Sequence, residues 1–340
     1  CDHYHRYEED VKLLSQAGGN AYRFSMEWSR IEPLEDRFDE SELSHYRDVI
    51  RCCRQFGITP IVTMMHFSSP AWLISKGGWK DKKTPEYFER YCRYVFENLH
   101  EELPYVVTIN EANMGGQLGK IAKDMMRSNK RKKGQVQVGR NDSLNIGRLL
   151  LGMFEQGRVF HRSPFSVNTF LKPRDENEEL IVMQAHQKAV KVIKELSPAT
   201  KVGLSLSLYD YQPDDEGVTQ AEKLWYEDFG RYLPYIKNDD FLGVQNYSRK
   251  RVDKDGVLEP DAEARLTQMG YEDYPQSIGN VLRKVNESFS KELIVTENGV
   301  ATDDDDRRCE FIREAFESVK QAKKDGINVT GYMYWSDRKS

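Results

Sequence analysis

"IVTENGVA", residues 294–301, sets three β-favouring residues directly before a glutamate, and Asn298 and Gly299 follow at once. "VVTINEAN", residues 106–113, has the same build and ends its apolar run in Asn110-Glu111. A carboxylate is expensive to bury. Two short apolar runs that each deliver one at the C-terminal tip therefore ask for a shared purpose.

Similar runs recur outward from these two. "NAYRFSMEW" (20–28), "ITPIVTMMHF" (58–67), "YVVTIN" (105–110), "KVGLSLSL" (201–208), "FLGVQNY" (241–247), "ELIVTE" (292–297) and "VTGYMYWS" (329–336) all read as strands. Between them lie amphipathic helices over 6–19, 41–57, 84–100, 176–196, 219–233 and 307–326. Ser41 is the expected cap and Gly57 the stop of the second, and Thr84 caps the third with Pro85 at its first position. Strands apolar on both faces, most of them followed by a helix, belong to a parallel sheet covered by helices. Seven β units behind one leading helix predict a (β/α)8 barrel, with the first strand and the C-terminal tail absent from this sequence. A doubly wound open sheet would announce itself by a Gly-rich phosphate loop after its first strand, and there is none.

Length agrees, since 340 residues suit a barrel of about 250 residues with insertions. The expectation is one barrel domain over 1–340 with long insert loops at about 114–175 and 248–275. The first of these reads as irregular, and "DKDG" in the second suggests a hairpin. A net charge of -5 argues against nucleic acid as a partner, and no apolar run approaches the roughly 20 residues of a membrane span. The basic run at 123–142, with six Lys/Arg between Arg127 and Arg140, lacks interleaved aromatics and reads as a solvated loop. The chain opens "CDHYHRYEED" with no signal peptide, which reads as a fragment. Five cysteines at spacings that fit no zinc pattern predict reduced thiols in a cytoplasmic protein.

In a parallel barrel all strands point their C-terminal ends to one mouth, so Glu111 and Glu297 are expected on one face. Two carboxylates flanking one cavity are the equipment of a glycosidase: one ionised and attacking, the other protonated and donating. The other strand ends would add Arg23, Glu27 and Trp28, then His66, then Gln245, Asn246 and Tyr247, and finally Trp335. Sugars offer hydroxyl edges and apolar faces, which such side chains suit. Taken singly, Arg23 could equally pair with Glu27, and His66 could be a core histidine.

"YRFSMEWSRIEP", "HFSSPAWL", "TINEAN", "DFLGVQNYS" and "IVTENG" occur in that order, and together they closely resemble the glycoside hydrolase family 1 β-glucosidases over about residues 5–336. The resemblance implies a TIM barrel that hydrolyses β-linked glycosides with retention, without cofactor or metal. It implies Glu111 as acid/base and Glu297 as nucleophile. Asn110 would bind the sugar's 2-hydroxyl, Arg23 and Tyr247 would hold the nucleophile, and His66, Gln245 and Trp335 would meet the substrate. The implied partner is a small β-glycoside, and the oligomeric state is left open. Asn113 stands where the family has Pro, and Gln245-Asn246 where it often has Asn-Tyr. The family's first-strand Gln and its Asn-x-Glu-Trp segment after the last strand have no counterpart. Two other functions compete. A silent sugar-binding relative would have lost one glutamate, and a metal-dependent barrel hydrolase would want a His/Asp/Glu cluster that His66 alone does not supply.

Overall fold

The computed structural model describes residues 2–99, 101, 103–120 and 146–335, over 146–150 the backbone alone. The basic run at 123–142 lies outside the described residues. The chain divides into two compact units, Cys1–Gly119 with Leu144–Leu204, and Lys120–Ser143 with Ser205–Ser340.

In the first unit, β1 (Ala21–Ser25), β2 (Thr59–Met65), β3 (Tyr105–Ile109) and β4 (Lys201–Gly203) form a parallel sheet in that order. Ile61, Val62, Met64, Val106, Val107 and Ile109 are all buried, so the two central strands are apolar on both faces. That is the pattern of a sheet sandwiched by helices. β1, at the end of the sheet order, is half-buried along its whole length.

The flanking helices are His3–Gln16, Glu40–Gln55, Thr84–Asn98 and Glu176–Leu196. The last two pack on each other. Helix Glu176–Leu196 begins with a full capping box between Asp175 and Glu178. Two other starts differ from expectation. Asp39, not Ser41, caps Glu40–Gln55, because its carboxylate accepts the backbone N–H of both Ser41 and Glu42. Thr84 is already helical, and its hydroxyl donates to the Gly78 carbonyl at 2.7 Å instead of capping. Gly57 ends its helix as expected, with φ of 71°. Trp28 leaves the predicted strand. It opens the short helix Trp28–Ile31, capped by Glu27, and is buried with its indole N–H on Glu32.

In the second unit the strands are β5 (Ser205–Ser207), β6 (Asp210–Pro213), β7 (Phe241–Gln245), β8 (Arg249–Asp253), β9 (Gly256–Val257), β10 (Glu292–Asn298) and β11 (Val329–Tyr334). β11-β10-β7-β5 is a second parallel sheet. The single strand expected at 201–208 is therefore two, one pairing with β3 and the other with β7. β6 and β8 pair in parallel, and β8 turns into β9 as the hairpin expected at "DKDG". Asp253 accepts the N–H groups of Asp255 and Gly256 there. Helices Val218–Asp228, Ser277–Asn286 and Asp305–Lys324 belong to this unit.

The segment read as irregular is helical in part, at 114–120 and at Ile146–Val159, with a 3-10 turn at Pro164–Ser166. Cys52, Cys53 and Cys92 are free and buried, and Cys309 is free and exposed. Among the described residues no helix is long and apolar enough to cross a membrane.

Candidate active site

Glu111 follows β3 directly. Asn110 still donates its N–H to Met65 across the ladder, at 2.9 Å, and then the chain turns. Glu111 makes that turn in the left-handed region, with φ of 42°. A non-glycine residue there costs on the order of 1–2 kcal/mol, so the neighbourhood must hold it. Two features do so. The Glu111 carbonyl accepts Met114 N–H at 2.9 Å. The Arg174 guanidinium, paired with Glu179 and buried with it, donates to the Ala112 carbonyl at 3.1 Å. Gly115 lets this guanidinium pass, for a Cβ there would lie 2.2 Å from Arg174 Cζ. Glu111 is itself 7% exposed.

Arg23, on β1, donates through Nε to Thr63 at 3.0 Å and through Nη2 to Asn110 Oδ1. It does not pair with Glu27, whose carboxylate accepts from Ser29 and Ser68. Arg23 thus fixes the direction of the amide next to Glu111. His66, just past β2, faces the Ser25 hydroxyl at 3.3 Å through Nδ1. Burial, with the Arg23 charge adding to it, pushes the His66 imidazole down to about 4. It is neutral at neutral pH, with one donor and one acceptor to offer.

Glu297 is placed differently. It lies inside β10, at a point where the pairing slips on both sides. Val295 faces Val244 and Tyr332, whereas Glu297 faces Gln245 and Asn298 faces Tyr334. Such a bulge re-aims a side chain while the strand continues. The carboxylate accepts the Tyr247 hydroxyl on Oε2 at 2.7 Å, and Glu297 is 4% exposed. Gln245 is fully buried and donates to the Ser205 hydroxyl at 3.2 Å. Trp335 stands just beyond β11, 48% exposed, with its backbone N–H on the Asn298 carbonyl at 2.9 Å.

The first unit thus gathers Arg23, His66, Asn110 and Glu111, and the second gathers Gln245, Tyr247, Glu297 and Trp335. Sequence reasoning missed Arg174 and Glu179, the pair behind the Glu111 turn. Their separation of five residues and their distance along the chain from Glu111 gave no local signal. It also missed Tyr332, which bonds Asn298 beside the Glu297 bulge, and Ser277, which bonds Asn246. Among the described residues no three His, Cys, Asp or Glu side chains are grouped to hold a metal ion.

The sequence profile of glycosyl hydrolase family 1 matches residues 1–131 and 229–338. The chain is 26% identical to beta-glucosidase A of Acetivibrio thermocellus over 99% of its own length and 78% of that protein's. Among solved structures it is similar to beta-glycosidase BGL167, at 34% identity and a TM-score of 0.86, with 98% of this chain and 76% of that one covered. The beta-glucosidase from Thermotoga maritima, solved with glucoimidazole, matches at 25% identity and a TM-score of 0.75 over 99% of this chain and 78% of that one.

Proposed function

Because the chain belongs to glycosyl hydrolase family 1, we propose that it is a retaining β-glucosidase whose double displacement runs on Glu297 as nucleophile and Glu111 as acid/base. Membership brings the (β/α)8-barrel fold class and glycoside hydrolase activity. The choice of β-glucoside follows the names of its relatives, and the division of roles follows the motifs.

In the first step a Glu297 oxygen bonds to the anomeric carbon. The glycosidic C–O bond breaks, and the leaving oxygen takes the proton of Glu111. In the second step Glu111, now a carboxylate, takes a proton from water. The water oxygen bonds to the anomeric carbon as the glycosyl–Glu297 ester breaks. Two inversions give net retention. The observation that carries this reading is the Tyr247–Glu297 bond at 2.7 Å on a bulged strand end. An attacking carboxylate has to be held in one orientation, and the phenolic donor on Oε2 helps to hold it. His66 and Asn110 suit sugar hydroxyls, and Trp335 suits a sugar's apolar face. We infer that both units serve this one reaction as a single domain.

Removing the nucleophile tests the proposal. Glu297→Ala should lower kcat on a chromogenic β-glucoside by at least about 10⁴-fold. Azide should restore turnover, with an α-configured glycosyl azide as product, because the anion attacks from the vacated side. Hydrolysis within tenfold of the unaltered enzyme would show that another group attacks.

A further inference from the structure

Glu297 is followed by Asn298 and Gly299, and the surroundings of both are specific. Gly299 passes so close to the chain beyond β11 that a Cβ on it would lie 2.0 Å from the Trp335 carbonyl oxygen. Asn298 is fully buried. Its Nδ2 donates to the Asn246 carbonyl at 2.6 Å, on the β7 side. Its Oδ1 accepts the Tyr332 hydroxyl at 2.7 Å, on the β11 side. Its backbone carbonyl accepts the Trp335 N–H. All three partners flank the place where both ladders of β10 have slipped.

The β7 side of this clasp is itself secured. Asn246 sends Nδ2 to the Leu208 and Ser248 carbonyls, each at 2.9 Å, and its Oδ1 accepts the Ser277 hydroxyl at 2.6 Å. On the β11 side, burial pushes the Tyr332 hydroxyl well above its ordinary range, so it remains a donor at every working pH.

A bulge left to itself has several local solutions, and each would point the Glu297 side chain differently. We infer that Asn298 is a positioning residue: by bonding to both neighbouring strands it selects the one bulge geometry that aims the Glu297 carboxylate. The amide suits this, because its Nδ2 donates to a carbonyl on one side while its Oδ1 accepts from a hydroxyl on the other. This inference rests on the reading of Glu297 as nucleophile, and the test separates the two.

The full chain would be prepared as Asn298→Ala and as Tyr332→Phe, each with Glu297 retained and each combined with Glu297→Ala in azide. In the first background Asn298→Ala should lower kcat/KM for an activated aryl β-glucoside by about 100-fold, the scale of a misplacement of about 1 Å. Tyr332→Phe, which removes one of the two side-chain bonds, should lower it by about 10-fold. In the azide background both should change the rate by no more than about 2- to 3-fold, because the residue they act through is gone. Equal losses in the two backgrounds would mean that Asn298 serves only the fold, and an unaltered rate in the first would mean that it does not position Glu297; either overturns the inference. If Glu297→Ala alone keeps hydrolysing without azide, or gives no azide product, the reading of Glu297 falls and the inference with it. Should Asn298→Ala fail to fold, Tyr332→Phe carries the same comparison.

Discussion

Two runs of nearly the same spelling, Val106–Glu111 and Ile294–Glu297, deliver their glutamates in different ways. After β3 the strand ends first and the glutamate sits in the turn, at a positive φ that other groups must maintain. In β10 the strand continues through the glutamate and only its register slips. The first carboxylate is aimed by its own backbone, with Arg174 buttressing the turn from Ala112. The second is aimed by side chains bonded to it and beside it, Tyr247 and Asn298. The contrast fits the proposed roles. An acid/base alternates between two protonation states and gains from a backbone that holds its position in both. A nucleophile keeps one state and one direction, so bonding to its oxygen does no harm.

The largest loss is expected at Glu111. Glu111→Gln removes the proton donor and leaves the attacking group. β-Glucosides with poor leaving groups should slow by about 10³-fold, the middle of the range for a lost general acid. Activated aryl β-glucosides should keep their first step and slow only in the second. Leaving-group dependence measured with a series of aryl glucosides checks this, and equal losses across the series would remove Glu111 from the role of acid.

Next in size is Tyr247→Phe, which deletes the phenolic hydrogen bond to Glu297. A hydrogen bond to a charged group is worth about 1.5–3 kcal/mol, so kcat/KM should fall about 10- to 100-fold. Azide-supported turnover in the Glu297→Ala background should be little affected. An unchanged kcat/KM would show that Glu297 is held by other means.

A further effect bears on stability rather than on rate, and concerns His66. Its folded value of about 4 lies below the ordinary 6.5, so between these values the unfolded chain binds more protons than the folded one. Stability from this group is full above pH 6.5 and is lost as pH falls toward 4, by about 3 kcal/mol in total. Denaturant unfolding at pH 7 and at pH 4.5 should show this slope, and His66→Gln should remove that part of it. A slope unchanged by the substitution would mean that the imidazole titrates normally.

Much of this architecture was legible in the residues. Runs such as Ile61–Met65 and Val106–Ile109 are apolar on both faces, and that alone indicates a parallel sheet under helices. Helix Glu176–Leu196 was readable to the residue because its capping box and its apolar periodicity agree. Helix Ser277–Asn286 was not, since it starts after Gln276 without a side-chain cap and spans only ten residues. Its Ser277 matters nonetheless, by securing Asn246. The strand at 201–208 was read as one because propensity does not register a change of pairing partner at Leu204. In the site, both glutamates and their immediate neighbours carried their own signal, being polar residues where apolar ones are expected. Arg174, Tyr332 and Ser277 carried none, because each acts on a residue at least 31 positions away in the chain. Asn298 was visible beside Glu297, but its reason lay in β7 and β11.

The central claim is that Glu297 forms a covalent bond to the sugar. Glu111→Gln enzyme mixed with an activated aryl β-glucoside should accumulate the glycosyl-enzyme, because its second step lacks a base. Acid quenching, protease digestion and mass spectrometry would locate the adduct. One glycosyl group is expected, on the peptide that contains Ile294–Gly299 and on Glu297 within it. A glycosyl group on any other residue, or an enzyme that turns over with inverted product and never carries one, would contradict it.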